Sequence, residues 1–214
     1  MAELNQNTNY AFYFDASRCN GCKGCQIACK DGRSLSLDRH FRRVYEYAGG
    51  TFSQSADGVM HQSAFAYYLS VSCNHCDEPA CTKACPTGAM HKRTDGLVAI
   101  HSDICIGCAS CAEACPYDAP QLEVSQQVMT KCDGCAERLA YNLPPLCVQA
   151  CSQRALDFGR VSDLQAKYGG LVGASHCAPL PSPSQTKPNL LIRLSPNHQP
   201  VGSTAGKVIN IREL

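Results

Sequence analysis

The stretch CNGCKGCQIACK, residues 19–30, places four cysteines at the spacing C-x2-C-x2-C-x3-C. Thiols this close together are typical of a metal site, because the thiolate is a strong metal ligand. The two-residue gaps allow a tight loop to present three thiolates to one centre, and Gly21 and Gly24 let its backbone come close. Cys29, after the three-residue gap, lies one helical turn beyond Cys25 and points away from that centre. The stretch therefore predicts one cluster bound by its first three cysteines and a second cluster reached by the fourth.

The rest of the chain repeats this arrangement. Each group opens with C-x2-C and closes with C-x3-C, so the cysteines form an internal repeat. The groups, called quartets one to four, are Cys19, Cys22, Cys25 and Cys29; Cys73, Cys76, Cys81 and Cys85; Cys105, Cys108, Cys111 and Cys115; and Cys132, Cys135, Cys147 and Cys151. Four quartets of four account for 16 of the 17 cysteines and leave only Cys177. We interpret this last thiol as incidental, despite its neighbour His176.

Three kinds of site use cysteine at this density, 17 in 214 residues. Disulfides suit secreted proteins, but the N-terminus has no pattern of a signal peptide and repeated C-x2-C pairs are poor staples. Zinc prefers two C-x2-C pairs around one tetrahedral ion, whereas quartets one and three have three consecutive cysteines at gaps of two. Their spacing is instead the iron–sulfur run of bacterial ferredoxins. The sequence therefore favours [4Fe–4S] clusters, with a zinc-binding scaffold and a disulfide framework as the alternatives.

Composition argues against several other classes of protein. The formal net charge is +1, so no nucleic-acid-binding surface is indicated. There is no apolar run of about 18 residues, so no membrane-spanning helix is expected. We interpret Arg42 and Arg43, in FRRVYE, as a surface or docking pair rather than an export signal. No catalytic acid, base or nucleophile is expected.

The predicted fold class is α+β, with short strands that lead into cysteine loops and brief helices that follow them. Strands are expected at 10–15, 64–72, 96–104 and 128–131, and helices at 108–115, 135–142 and 161–170. The predicted segments are ferredoxin-type segments at 9–38, 64–95 and 96–125, an inserted loop or hairpin at 39–63, a fourth cysteine segment at 126–160, and a helix with an extended C-terminal arm at 161–214. The arm is proline-rich from Ala178, so we expect it to lie outside any core and to wrap a partner.

Several polar residues lie next to the cysteines. His75 stands between Cys73 and Cys76, but that quartet is complete without it, so we interpret it as a neighbour of a cluster or a surface residue rather than a ligand. Four lysines stand beside quartet cysteines: Lys23, Lys30, Lys83 and Lys131. Two interpretations of these lysines are equally open, a solvated surface or compensation of cluster charge.

The chain resembles the four-cluster ferredoxin-like iron–sulfur subunits of anaerobic dimethyl sulfoxide reductases, within the molybdopterin oxidoreductase family. The resemblance extends from about Tyr10 to Thr204. It is carried by FRRVYEYAGG, CNHCDEPACTKACP, DICIGCASCAEACPYDAPQ, MTKCDGC, ALDFG and TKPN. It implies two ferredoxin-like modules, a duplicated bacterial two-[4Fe–4S] ferredoxin, with an insert and an extended C-terminal arm.

The resemblance also implies how the quartets pair, the first with the fourth and the second with the third. The implied ligands are Cys19, Cys22, Cys25 and Cys151 for cluster 1; Cys73, Cys76, Cys81 and Cys115 for cluster 2; Cys105, Cys108, Cys111 and Cys85 for cluster 3; and Cys132, Cys135, Cys147 and Cys29 for cluster 4. Ser152 and Lys30 depart from the family pattern, but neither removes a ligand. Four [4Fe–4S] clusters are therefore expected.

The implied function is electron transfer in anaerobic respiration. Electrons would pass from a membrane anchor subunit that oxidises menaquinol, through the four clusters, to a molybdopterin catalytic subunit that reduces dimethyl sulfoxide or a related S- or N-oxide. The chain would lie peripherally on the bacterial inner membrane, on the periplasmic face by co-export with the catalytic subunit, or on the cytoplasmic face. The alternatives are an electron-transfer subunit of another molybdopterin oxidoreductase and a stand-alone soluble polyferredoxin, against which the insert and the arm argue.

Overall fold

The computed structural model describes residues 9–170 and 176–214. Its elements are short and are joined by cysteine loops. The strands are β1 (Tyr10–Asp15), β2 (Arg42–Gly49), β3 (Phe52–Gln54), β4 (Met60–Gln62), β5 (Phe65–Ser72), β6 (Met90–Lys92), β7 (Val98–Ile100), β8 (Gln121–Glu123), β9 (Val128–Thr130), β10 (Leu156–Arg160), β11 (Leu190–Arg193) and β12 (Gly206–Val208). The helices are α1 (Gly24–Gly32), α2 (Ala80–Lys83), α3 (Ser110–Glu113), α4 (Ala136–Ala140), α5 (Leu146–Gln149) and α6 (Val161–Tyr168). The molecule is thus a small mixed α and β protein.

Two three-stranded sheets form what we call the sheet region, made of β1, β2, β5, β10, β11 and β12. In the first sheet β1 lies between β10, which is antiparallel, and β11, which is parallel. In the second, β2 pairs with β5 along eight residues and with β12 on its other edge. The aromatic and β-branched residues of these segments favour strand structure. One core collects the buried side chains of both sheets, among them Phe12, Phe14, Val44 and Leu69.

The remaining cysteine loops lie among much smaller elements. We call residues 79–130 the hairpin region, because it consists of α2, α3 and the two hairpins β6–β7 and β8–β9. Each hairpin strand has three residues, too few for independent stability. The buried residues here are Met90, Val98 and Met129 together with Cys81 and Cys111. Two cluster cysteines are therefore part of the hairpin region's own core.

Most of the predicted elements are confirmed. The strands at 10–15, 64–72 and 128–131 correspond to β1, β5 and β9. The predicted strand at 96–104 is shorter, because β7 ends at Ile100 and residues 102–104 form a 3-10 turn. The helices predicted at 108–115 and 135–142 are likewise shorter, as α3 and α4, and the helix expected at 161–170 is α6. None of the described helices is both long and apolar enough to cross a bilayer.

Two interpretations made from the sequence are wrong. Arg42 and Arg43 are not a surface pair, since only 1% and 7% of their surfaces are exposed. The C-terminal arm does not lie wholly outside the core, since β11 and β12 complete the two sheets and Leu180 and Ile192 are buried against them. The arm thus wraps its own chain. The predicted insert similarly contains a core strand, β2, as well as the exposed hairpin β3–β4.

Candidate iron–sulfur centres

The four quartets begin with loops of the same backbone conformation. The residue two positions after the first cysteine has a positive φ in every quartet: Gly21 (73°), His75 (45°), Gly107 (66°) and Gly134 (71°). Glycine adopts this conformation without strain, which explains its presence in three of the four loops. The turn directs backbone N–H groups toward sulfur, as where Gly134 N–H donates to Cys132 Sγ at 3.4 Å. The loops are therefore shaped to surround an anionic sulfur cage.

One cavity collects thiols from quartets one and four. It is lined by Cys19, Cys22, Cys25 and Cys151, with Phe14, Val44 and Leu156 among its apolar walls. Ala155 N–H donates to Cys151 Sγ at 3.2 Å, and Ser70 Oγ lies 3.3 Å from Cys25 Sγ. Burial, together with the charge of neighbouring thiols, raises the pKa of Cys19 to about 11. A metal centre overcomes such a shift, because a coordinated thiol is deprotonated outright.

A second cavity collects thiols from quartets two and three. The quartet cysteines that line it are Cys73, Cys76, Cys81 and Cys115. Burial raises the pKa of both Cys76 and Cys81 to about 12, and the charge of nearby thiols adds to the shift. As in the first cavity, three cysteines of one quartet meet the last cysteine of another.

The other eight quartet cysteines lie in two further groups. Burial and the charges of Cys147 and Cys135 raise the pKa of Cys29 to about 12, which places Cys29 of quartet one beside quartet four. Packing of α1 against α5 brings Cys29 and Cys147 together. In the hairpin region, burial and the charges of Cys85, Cys105 and Cys108 raise the pKa of Cys111 to about 11. Each of these groups again mixes one quartet with the last cysteine of another.

The donor sets fit [4Fe–4S] clusters. Each cavity or group collects four thiols from two quartets, and four cysteine thiolates are the ligand set of a [4Fe–4S] cluster. Backbone N–H groups also donate to the sulfurs of Cys85 (from Met90, 3.4 Å) and Cys105 (from Met129, 3.3 Å), as around iron–sulfur clusters.

Exposure of the thiols differs among the four groups. Cys29, Cys132, Cys135 and Cys147 are all buried. Cys22 and Cys108 are exposed, and they are in different groups. Four exposed apolar side chains lie near Cys108 in sequence or around its loop: Ile104, Ile106, Leu122 and Val124. Access from outside is therefore greatest in the group of Cys22 and in the group of Cys108.

Close contacts order the groups in a row. Cys81 and Cys111 share the small core of the hairpin region, which joins their two groups. The charge of Cys73 contributes to the raised pKa of Cys132, after burial and Cys29, so those groups adjoin. The charge of Cys25 similarly contributes to the raised pKa of Cys147, so the groups of Cys25 and Cys147 also adjoin. The row begins at the group with Cys108 and ends at the group with Cys22.

Sequence analysis missed a buried cation beside this row. Arg42 Nη1 donates to Ser70 O (3.2 Å) and Ser70 Oγ (3.1 Å), Nη2 donates to Ser72 Oγ (2.9 Å), and the guanidinium lies over the Phe12 ring at 4.5 Å. Burial alone lowers the pKa of Arg42, but the charges of Cys147, Cys25, Cys132 and Cys29 raise it. These partners of the guanidinium are neutral groups or thiols. A charge this buried needs compensation, and the thiolates supply it. Alternation along β2 puts Arg42 on the same face as the buried Val44, and this pattern was the one sequence signal for the burial of Arg42.

The four lysines differ in their surroundings. Lys131 is buried, lines the cavity of Cys73 and donates to Cys132 O at 2.9 Å. Lys30 binds the carbonyls of a turn, including Leu37 O at 3.0 Å. Lys23 forms an ion pair with Glu213, and Lys83 is exposed. Compensation of cluster charge is thus supported for Lys131, and a surface role for Lys83.

Comparison with known proteins gives consistent results over the whole sequence. The family model described as "4Fe-4S dicluster domain" matches residues 64–161, and that described as "4Fe-4S binding domain" matches residues 16–32. The B chain of the anaerobic dimethyl sulfoxide reductase of Escherichia coli (strain K12) is 53% identical over 207 residues, which cover 97% of this chain and 99% of that protein. The protein of the same name from Haemophilus influenzae is 52% identical over 205 residues, covering 96% and 98%. The B subunit of the tetrathionate reductase of Salmonella typhimurium is 35% identical over 164 residues, covering 76% and 62%.

Proposed function

The protein belongs to the family of iron–sulfur subunits that includes the B chain of anaerobic dimethyl sulfoxide reductase, and we propose that it relays electrons between two partner subunits. It is an electron-transfer protein that binds [4Fe–4S] clusters and is not catalytic by itself. When bound, the clusters supply one-electron redox chemistry. The chain's own residues fix the position of the ligands, exclude water from them and donate hydrogen bonds to their sulfurs.

The proposal includes four clusters with crossed ligands, in two ferredoxin-like modules. We assign Cys19, Cys22, Cys25 and Cys151 to cluster 1; Cys73, Cys76, Cys81 and Cys115 to cluster 2; Cys105, Cys108, Cys111 and Cys85 to cluster 3; and Cys132, Cys135, Cys147 and Cys29 to cluster 4. The lining of the two cavities supports the first two sets. The charges that act on Cys29 and Cys111 support the other two.

The single observation that carries the relay is the row of four thiol groups with one exposed thiol in each terminal group. Cys108 in cluster 3 and Cys22 in cluster 1 are exposed, whereas every ligand assigned to cluster 4 is buried. Partners can thus approach both ends, while the middle of the row is shielded from solvent and from unproductive reactions. A free carrier needs only one exposed end, so the row favours a subunit that lies between two partners.

We propose which partner binds each end, as the resemblance to the family implies. A membrane anchor subunit that oxidises menaquinol would bind near Cys108, where Ile106 in the same loop and Leu122 beside Gly107 are exposed apolar side chains. The molybdopterin catalytic subunit, which would reduce dimethyl sulfoxide or a related S- or N-oxide, would bind near Cys22. The complex would lie on the bacterial inner membrane with this chain peripheral, on the periplasmic face by co-export with the catalytic subunit.

A second candidate function is the same electron relay in a complex with a different terminal oxidant or reductant. The B subunit of the sulfite dehydrogenase of Allochromatium vinosum is 35% identical over 178 residues, covering 73% of this chain and 70% of that protein. The same row of clusters could therefore serve another molybdopterin oxidoreductase. Identification of the large subunit that co-purifies with this chain distinguishes the two.

Metal analysis of the anaerobically purified complex tests the cluster assignment. Four clusters of four irons predict about 16 iron atoms per copy of this chain, with equal sulfide, after subtraction of any iron in the partners. A Cys108→Ser variant should lose most quinol-driven turnover but keep turnover driven by a dye that reduces the catalytic subunit directly. A stable chain with about four zinc ions and little iron would contradict the proposal, and equal loss of both activities in an assembled complex would contradict the placement of the partners.

A further inference from the structure

The side chain of His75 lies in a place that the other three cysteine loops leave to glycine. Its φ of 45° matches the positive φ of Gly21, Gly107 and Gly134 at the equivalent position. This conformation is strained for a non-glycine residue, so surrounding contacts must hold it there. His75 is also almost completely buried, with 1% of its surface exposed. A strained, buried and polar residue in a cluster loop points to a role for its ring.

Hydrogen bonds fix the orientation of the ring and the position of its proton. Val98 N–H donates to His75 Nδ1 at 3.0 Å. Since Nδ1 accepts, the proton of the neutral ring is on Nε2. The imidazole is therefore a neutral ring with a donor at Nε2.

That donor faces a thiol of a different quartet. His75 Nε2 lies 4.0 Å from Cys132 Sγ, at the long end of contact between a nitrogen donor and sulfur. The loop that carries His75 is held from the other side, because Asn189 Nδ2 donates to His75 O at 2.8 Å and Asn189 N donates to Asn74 O at 3.0 Å. The ring is thus clamped between the loop of quartet two and the first cysteine of quartet four.

We propose that His75 is a positioning residue that donates a hydrogen bond from Nε2 to the Cys132 thiolate and raises the reduction potential of cluster 4. A donor to a cluster sulfur withdraws negative charge and favours the reduced state. The inference rests on the proposed ligand sets, in which Cys132 belongs to cluster 4 and the flanking Cys73 and Cys76 belong to cluster 2. His75 would then lie between cluster 2 and cluster 4, the two clusters in the middle of the row.

A role in packing alone does not account for this residue. A phenyl ring would fill the same space without two buried ring nitrogens, and a buried donor without an acceptor is destabilising. Nδ1 accepts from Val98 N–H, and the Cys132 sulfur is the acceptor that Nε2 faces in the structure. The histidine is therefore explained by these two polar contacts and not by the volume of its ring, and only the thiolate accounts for the donor.

Redox-titrated electron paramagnetic resonance of the intact complex tests the proposal, with His75→Phe and His75→Gln as the variants. His75→Phe keeps the ring shape and removes the donor. At the wild-type midpoint potential of cluster 4, its ratio of oxidised to reduced cluster should rise about tenfold, which is a shift of about 59 mV for one electron. His75→Gln keeps an N–H donor of similar reach and should recover most of that shift. His176→Gln is the matched control, since His176 is also buried but its Nε2 contacts Tyr117 OH at 3.0 Å.

The outcomes separate this inference from the proposed ligand sets. An unchanged potential in His75→Phe, an equal shift of all four clusters, or no recovery in His75→Gln would overturn the role of His75. The ligand sets fail separately, if Cys132→Ser alters a signal other than the one that His75→Phe moves. Should His75→Phe lose iron, His75→Asn replaces it, because asparagine accepts a positive φ but is too short to reach Cys132. Loss of cluster 4 in both variants would reduce His75 to a structural residue and contradict the proposal.

Discussion

The sheet region and the hairpin region surround similar thiol groups in different ways. In the sheet region, five quartet cysteines belong to a large core in which strand residues such as Phe12, Phe14 and Leu69 supply most of the apolar side chains. In the hairpin region, Met90, Val98 and Met129 form a small core of which cluster cysteines are members. The difference shows that cysteines at the same spacing can be positioned by a large strand core or can themselves form much of a small core. We expect the hairpin region to depend on iron for its fold.

Removal of iron should separate the two regions most clearly. Because metal binding is coupled to folding in small metal-bound units, amides of β6–β9 should lose protection from hydrogen exchange by on the order of 100-fold. Amides of the β2–β5 ribbon, which spans eight paired residues, should keep most of their protection. Hydrogen-exchange mass spectrometry of the iron-loaded and chelated protein measures both at once. Equal loss of protection in the β2–β5 ribbon would contradict the comparison.

The adjacent arginines allow the regions to be perturbed one at a time. Arg42 lies among thiols of clusters 1 and 4, so Arg42→Met should lower the potentials of both and destabilise the sheet region by roughly 3–5 kcal/mol. Arg43 instead donates to Asp118 Oδ2 at 3.2 Å and Asp118 O at 2.9 Å, in the turn after Cys115. Arg43→Met should therefore affect cluster 2 and leave clusters 1 and 4 near their wild-type potentials. Paramagnetic resonance titration with thermal unfolding distinguishes these patterns, and identical shifts in the two variants would refute the assignment.

Substitution of loop glycines should have a smaller effect that again differs by region. A Cβ at Gly107 would lie 2.3 Å from Gln127 O, which is backbone, whereas one at Gly21 would lie 2.4 Å from the Tyr68 ring, which can move. Both residues also have a positive φ. We expect Gly107→Ala to cost roughly 2–3 kcal/mol and Gly21→Ala about 1 kcal/mol. Denaturant unfolding of the iron-loaded variants measures the difference, and a larger cost at Gly21 would contradict it.

The smallest expected effect concerns α6, which packs against β1 and β10 of the sheet region. Burial raises the pKa of Asp157, but hydrogen bonds from Lys167 and Tyr168 (both 2.8 Å) lower it below its usual value overall. The folded state therefore favours the carboxylate, so its contribution is present above the ordinary pKa and is lost as pH falls through the folded pKa. Asp157→Asn should remove this dependence at a cost below about 1 kcal/mol. Hydrogen exchange of α6 at pH 6 and pH 4 tests this, and an unchanged pH dependence would exclude Asp157 as its source.

The cysteine loops and most of their flanking strands could be predicted because their signals are local. Spacing fixes which thiols share a loop, and the alternation of YAFYFD fixes β1. Alternation along β2 places Arg42 on the same face as Val44, but it does not reveal the thiol charges from quartets one and four that compensate the buried cation. The pairing of β11 with β1 was also missed, since its four residues join a strand about 180 positions earlier. His75 was expected beside a cluster or on the surface; the structure shows that it is buried, and the sequence does not reveal that Val98 and Cys132 face its two nitrogens.

The crossed ligands are the central claim, and Cys29 tests them most directly. Redox-titrated paramagnetic resonance should be recorded on the wild type and on the Cys22→Ser, Cys29→Ser and Cys132→Ser variants, with serine chosen because its oxygen can retain iron. Cys29 is in α1, directly after the loop of Cys22. Burial and the charges of Cys147 and Cys135 nevertheless raise its pKa, so its thiol lies beside quartet four. We predict that Cys29→Ser changes the same signal as Cys132→Ser and leaves the signal altered by Cys22→Ser intact. If Cys29→Ser instead changes the Cys22 signal and leaves the Cys132 signal untouched, the crossed arrangement is wrong.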